Sequence, residues 1–274
     1  MNIASIYRQE KNNEKVAETL SKANLLFPNN SKVQEMLSEY KEERTYNLIE
    51  KASNLYNKKD YNDAIITYKA IEKPDAEVYL GIGACYQAME RYDEAINNYK
   101  KALSMDSANP NVYYFLGLAC LYKKDYNNSE MYLTRAKQLD DLNPDIQDAY
   151  KSLQFAKSED LMNKGIKLFE DGKNDAAITN FNNAINLCKE NGYAFYYRGL
   201  AYDTKGDNAK AISDYSKAIA LNPELTMAYY SMALSYDALK NTAEAKKMYQ
   251  KFLQENKAND EYTTYAKQRL SEIK

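Results

Sequence analysis

Apolar residues recur along the chain at helical spacing, in paired stripes. Over residues 192–225, Phe195, Gly199 and Tyr202 stand four and three residues apart, and Ala211, Tyr215 and Ala218 repeat that spacing, so each set shares one face of a helix. Gly206-Asp207 breaks the chain between the two stripes. Asn222-Pro223 ends the second, because proline lacks the amide proton and clashes with the preceding turn. Small residues at Gly199, Ala211 and Ala218 let the two predicted helices approach closely. A hairpin this short cannot bury both stripes alone, so neighbours must stack on it.

The same spacing returns through Tyr79, Gly83, Tyr86, Tyr92, Ala95, Tyr99 and Ala102, and through Tyr229, Ala233, Tyr236, Ala245 and Tyr249. Gly117 and Ala136 carry it over residues 110–143, and Gly165, Ala177, Phe181 and Ala184 over 158–191. A shorter unit occupies 45–75, where Pro74 closes the turn three residues early. Units therefore open at residues 45, 76, 110, 158, 192 and 226, and all five prolines fall at or near the turns between them. In spacing and residue type these units resemble the tetratricopeptide repeat family, whose unit is a helix pair of about 34 residues. The resemblance implies an all-α, right-handed solenoid of helix-turn-helix repeats.

Residues 31–44, 144–157 and 260–273 belong to no full hairpin. They carry matching apolar series: Val33, Met36, Leu37 and Tyr40; Ile146, Ala149, Tyr150 and Leu153; Tyr262, Tyr265, Ala266 and Leu270. Each reads as a single helix capping the array before it, as a soluble stack requires. Fourteen residues are nearly four turns at about 3.6 per turn, so each internal cap can run into the next repeat without rotating its stripe. No Gly or Pro lies between Pro28 and Pro74, or between Pro144 and Gly165, and two fused helices of about 27 residues are predicted. Their stripes break at Arg44 and Lys157, which read as exposed joints. Residues 1–30 fit the frame from its fifth place onward, through Ala4, Tyr7, Ala23 and Pro28. The expected organisation is a truncated repeat with a cap over 1–44, three repeats with a cap over 45–157, and three with a C-terminal cap over 158–274, in one continuous solenoid.

At 274 residues the chain exceeds the roughly 250 that one core usually holds, a limit that stacked repeats escape. Apolar residues make up 45% and charged residues 28%, with eight Gly and five Pro, leaving little for disordered linkers. The net charge of −2, with dispersed Lys and Arg, gives no footprint for nucleic acid or an anionic membrane. The most apolar run, 112–122, has 11 residues, against roughly 18 for a membrane span. No secretory signal is visible in MNIASIYRQE, and a cytoplasmic location is expected. Cys85, Cys120 and Cys188 are odd in number and fall at three different places of the repeat, which argues against a disulfide framework and for small buried hydrophobes.

The chain has no histidine, which removes Ser-His-Asp and Cys-His arrangements and ordinary catalytic zinc sites. Its glycines follow the repeat and form no phosphate-cradling loop. No enzyme activity, cofactor or metal is expected. The resemblance implies protein recognition on a concave face lined by the first helix of each unit, at the second, fifth, ninth and twelfth places. Those places hold Asn111, Tyr114, Leu118 and Leu121; Glu159, Met162, Ile166 and Phe169; Tyr193, Tyr196, Leu200 and Asp203; and Met227, Tyr230, Leu234 and Asp237. The stripe is more apolar than solvent requires, which suits an extended peptide or an amphipathic helix of a partner protein. Asp203 and Asp237 stand at equivalent places, placed to receive a ligand's Lys or Arg. The alternative is that the Tyr and Leu pack adjacent first helices together, or that a cap helix of the chain fills part of the groove. Relatives that hold chaperone C-termini share a carboxylate clamp of Lys, Asn and Arg. At the clamp places this chain has Met162, Ile166, Tyr197, Met227 and Ser231, and Ile49, Ser53, Gly81, Asn111 and Phe115. A self-associating scaffold and the docking part of a larger enzyme are further readings.

Overall fold

The computed structural model describes residues 13–273; Ala4 and Tyr7, read as part of the first repeat, lie outside that range. Among the described residues there is no strand, and 14 helices follow one another. They are α1 (Asn13–Leu26), α2 (Ser31–Asn57), α3 (Tyr61–Lys69), α4 (Ala76–Ala88), α5 (Tyr92–Met105), α6 (Pro110–Tyr122), α7 (Tyr126–Leu139), α8 (Pro144–Glu170), α9 (Asn174–Leu187), α10 (Gly192–Thr204), α11 (Asn208–Leu221), α12 (Thr226–Ala238), α13 (Thr242–Glu255) and α14 (Glu261–Glu272). The all-α class, the repeated helix pairs and the interspersed single helices are as expected. Both fused helices form: α2 and α8 are each 27 residues long. The chain divides into two compact units between Ile146 and Gln147, inside α8 and ahead of the expected boundary at 157.

Each pair is held by a large side chain of the second helix lying on a small residue of the first. Gly165 meets Phe181 and Gly199 meets Tyr215; a Cβ added at these glycines would stand 2.6 and 2.7 Å from the facing rings. Gly83 meets Tyr99 in the same way, and Gly117 meets Leu133. One turn to either side, Ala95 and Ala102, Ala177 and Ala184, and Ala211 and Ala218 are fully buried. Where residue 129 replaces the first of these alanines with serine, its Oγ donates to the Gly117 carbonyl at 2.9 Å, so the buried hydroxyl is satisfied.

The turn inside each pair is a helix C-cap in which one residue takes positive φ: Lys59 (68°), Glu90 (59°), Lys124 (62°), Gly172 (76°), Gly206 (80°) and Lys240 (60°). All six are the fifteenth residue of their unit. The next amide closes the cap, as Asp125 N bonds Cys120 O and Asp207 N bonds Tyr202 O, each at 2.9 Å, the Schellman pattern. Only two of the six are glycine, and an L-residue here costs about 1–2 kcal/mol. Part of that is offset by the extra freedom glycine gives the unfolded chain. Lys124→Gly, or the same change at Lys59 or Lys240, is expected to raise stability by about 0.5–1 kcal/mol, read as a higher urea midpoint with an unchanged slope.

Several helices start on side-chain caps. Asn30 accepts from Lys32 N and Val33 N at 3.1 and 3.2 Å, Asp75 from Val78 N at 3.0 Å, and Asn191 from Ala194 N at 3.1 Å. Pro110 and Pro144 open α6 and α8, where the missing amide costs nothing. The short unit differs in one respect: α3 has 9 residues where α5 has 14. At about 1.5 Å per residue the lost turn and a half uncovers one side of α2. A cavity of about 470 Å³ opens there, lined by Thr45, Leu48, Ile49 and Ile71 among others. Arg44, the first joint, is exposed beside it and pairs with Glu72 at 3.1 Å. Lys157 is half-buried, so the second joint is not the exposed break expected of it. Burial pushes the Cys85 and Cys120 thiols up to about 11, so both stay protonated and unreactive near neutrality.

Candidate protein-binding surface

In the second unit, the sequence-derived stripe divides into residues that stay open and residues the chain itself consumes. Tyr193, on the first turn of α10, is 47% exposed. Tyr196 is half-buried, its ring 5.9 Å from Tyr215 and 5.3 Å from Tyr197. Leu200 packs on the core formed by Ala211, Tyr215 and Met232. Met162 and Ile166 of α8 lie on the cluster of Ala177, Phe181 and Ala201. Met227 and Leu234 of α12 are half-buried against the last core cluster. These side chains both pack neighbouring helices and keep an edge open, so the two readings of the stripe describe one set of residues.

Tyr230 belongs to the protein's own interior. It is 9% exposed, with the rings of Phe252 and Tyr262 at 5.2 Å and of Tyr265 at 6.1 Å. Helix α14 supplies Tyr262 and Tyr265, so the C-terminal cap covers this end of the stripe.

Both aspartates are committed within the chain. Asp237 accepts from Tyr249 Oη at 2.9 Å and from Arg269 Nε and Nη2 at 3.0 and 3.3 Å. Asp203 accepts from Tyr215 Oη at 2.7 Å and Ser235 Oγ at 2.8 Å. Ser235 and Arg269 each follow their aspartate by 32 residues, so α14 stands to α12 as α12 stands to α10. The cap substitutes a cation for a hydroxyl.

Burial is the main influence on the Asp203 carboxyl and holds its pKa above the ordinary value, with the Tyr215 and Ser235 hydroxyls pulling the other way. The folded chain thus binds this proton more tightly than the unfolded chain. Its contribution to stability is full below the ordinary aspartate range and is lost as pH rises through the folded value. Asp203→Asn removes that dependence. From about pH 4 to about pH 7, the variant's urea midpoint is expected to shift upward relative to the parent's.

In the first unit, Tyr114, Leu118 and Leu121 of α6 are half-buried, and Tyr114 meets Phe115 edge-on at 5.1 Å. Burial, and then the charge of Asp145, push the Tyr114 phenol pKa up. A cavity of about 330 Å³ opens among Tyr56, Ala84, Gln87, Ala88, Glu90, Tyr92, Tyr99, Phe115 and Tyr122. None of these was a candidate from sequence. Tyr56, Ala84 and Gln87 hold the ninth and twelfth places of the 45–75 and 76–109 units, so the signal was present in the frame. Among the described residues, no group of three or more His, Cys, Asp or Glu is placed to hold a metal ion. No helix among them is long and apolar enough to cross a membrane.

Stacked helix pairs with a partly open apolar stripe define a helical-repeat protein. Models described as TPR or tetratricopeptide repeat match residues 43–70, 84–123, 110–141, 165–206, 192–225 and 227–257, together more than half of the sequence. The chain belongs to the tetratricopeptide repeat family. It is 32% identical over 107 residues to low calcium response locus protein H of Yersinia pestis and of Yersinia pseudotuberculosis, a match over 38% of this chain and 64% of each relative. The chain thus spans 64% of the length of the curated relatives it matches. Among solved structures it is similar to the first TPR of Spaghetti (RPAP3) bound to the HSP90 peptide SRMEEVD, at 31% identity over 43% of this chain and 94% of that one, with a TM-score of 0.41. It is also similar to MamA, at 30% identity over 64% and 94%, TM-score 0.34. A third is the TPR domain of P58(IPK), at 17% identity over 98% and 85%, TM-score 0.42.

Proposed function

We propose that the chain is a non-catalytic protein-interaction module, an adaptor or scaffold that holds an extended peptide or amphipathic helix of a partner protein along the first helices of its repeats. The observation that carries this reading is the row of apolar side chains left partly open in the second unit, Met162, Ile166, Tyr193, Tyr196, Leu200 and Met227, with Tyr193 47% exposed. Within the first unit, Tyr114, Leu118 and Leu121 form a half-buried row of their own. Open aromatic and aliphatic surface of this kind is what a partner's apolar residues bury. Asp203, Tyr230 and Asp237 support the row from within instead of meeting the partner, while half-buried Leu234 continues it beside Met227. At the clamp places, Met162, Ile166, Tyr197, Met227 and Ser231 offer no cation, so an acidic chaperone tail is not the ligand this surface suits.

Tyr193→Glu tests the reading. An exposed substitution of this kind shifts stability by less than about 0.5 kcal/mol, while a charge in the apolar row abolishes capture of whatever protein the parent retains in a pull-down read by mass spectrometry. Unchanged capture would return the row to a purely packing role. Self-association is favoured by a different observation: Leu25, Leu26 and Phe27, at the end of α1, are 82%, 73% and 59% exposed. Light scattering during size exclusion, with and without Leu26→Ser and Phe27→Ser, decides it.

A further inference from the structure

The aromatic cavity of the first unit is chemically unlike the row in the second. Two ring pairs lie along it: Tyr92 on Tyr122, with centroids 5.8 Å apart and planes at 23°, and Tyr99 on Phe115, at 5.7 Å and 22°. Tyr56 completes the wall. Gln87 is fixed by the Tyr99 hydroxyl, which donates to its Oε1 at 3.1 Å. Glu90 is the one charged residue of the lining. Its backbone is fixed at φ 59°, and its amide donates to Gln87 O at 2.9 Å. No lysine or arginine lines the cavity. Two basic residues adjacent to the lining in sequence are engaged elsewhere: Lys123 Nζ pairs with Asp93 at 2.6 Å, and Arg91 pairs with Glu94 and lies over the Tyr86 ring.

Ring faces are the negative part of an aromatic quadrupole and attract cations, all the more where water is reduced. Phenol oxygens and a lip carboxylate add to the same sign of potential. An apolar side chain would gain from the rings but would gain nothing from Glu90. At about 330 Å³ the space is at the small end of ligand pockets, the size for one long side chain. We infer that this cavity is a cation-accepting subsite that takes the ammonium of a lysine side chain on the partner segment, its stem along the rings and its charge toward Glu90. This assignment rests on the interaction-module reading and adds a charge requirement to it: a basic residue where the segment crosses α4 and α6.

The full chain is titrated with the peptide Gly-Gly-Lys-Gly-Gly and with its norleucine counterpart, a neutral isostere, while the tyrosine ring resonances are followed by NMR. The lysine peptide is expected to shift the Tyr56, Tyr92 and Tyr122 resonances and to bind at least about fivefold more tightly than the norleucine peptide. Glu90→Gln should reduce that preference severalfold, and Tyr122→Leu, at a position 55% exposed, should remove it with the fold intact. Equal binding of the two peptides would overturn the cation assignment, and no shift with either peptide or with choline would overturn the site. Choline binding where the lysine peptide does not would overturn the protein source in favour of a small free ammonium compound. The peptide titration reads only this cavity and Tyr193→Glu reads only the second unit, so failure of one is distinguishable from failure of the other.

Discussion

Arg198→Ala lowers stability by about 3–5 kcal/mol, the cost of leaving a buried charge without its partner. Arg198 of α10 donates through Nε and Nη2 to both oxygens of Asp214 on α11, each at 2.7 Å, and through Nη1 to Asn182 Oδ1 on α9 at 2.6 Å. Its side chain is 19% exposed and that of Asp214 6%, so water replaces little of what is lost. The guanidinium also lies over the Phe195 ring, 5.4 Å from its centroid. One side chain thus joins two successive repeats. Arg198→Lys cannot restore the fork, because an ammonium has no planar bidentate geometry. Replacing the pair together, Arg198→Met with Asp214→Leu, should recover most of the loss, since the cost lies in the orphaned carboxylate. Urea denaturation of the three variants measures this. A loss below about 1 kcal/mol for Arg198→Ala would mean the pair behaves as a surface ion pair.

Tyr215→Ala removes about 3–5 kcal/mol, the range for deleting a buried aromatic side chain. Tyr215 is fully buried, and its ring occupies the space over Gly199 where a Cβ would stand 2.7 Å away. Its hydroxyl is the donor at 2.7 Å to Asp203 Oδ2. The phenol pKa is pushed up by burial first and by the Asp203 carboxylate next, so the donor never ionises near neutrality. Tyr215→Phe isolates the hydroxyl. It leaves Asp203 with Ser235 and costs about 1–3 kcal/mol. Gly199→Ala should be costly in the parent and nearly neutral beside Tyr215→Ala, a coupling that a double-mutant cycle reads. Because each repeat touches only its neighbours, hydrogen exchange should rise in α9–α13 and stay unchanged in α4 and α5. A uniform rise across the chain would show cooperativity beyond nearest neighbours.

The helix pairs, their turns and both 27-residue helices were legible in the chain because their causes are local. Apolar residues at spacings of three and four share a face, proline stops a helix, and a stretch without Gly or Pro does not end. Gly199 facing Tyr215 was legible for the same reason, since the two stripes of one hairpin can meet in only one register. The turn residues were half-legible: Gly172 and Gly206 announce positive φ, whereas Lys59, Glu90, Lys124 and Lys240 are imposed by the geometry of their pairs.

The state of each candidate side chain was decided elsewhere. Asp203 and Asp237 occupy one place in one pattern, yet the partner that separates them arrives 32 residues later, as a serine in one case and an arginine in the other. Tyr230 holds the same place of the frame as Tyr196, and Phe252 of α13 together with Tyr262 and Tyr265 of α14 seals it. The aromatic cavity draws its walls from α2, α4, α5 and α6, a convergence no single stripe records. Sequence alone determined which faces of these helices are apolar, because periodicity is a property of one helix. Tertiary structure alone decided which apolar or charged side chains remain open to a partner, because exposure is set by whichever neighbouring helix arrives to cover them.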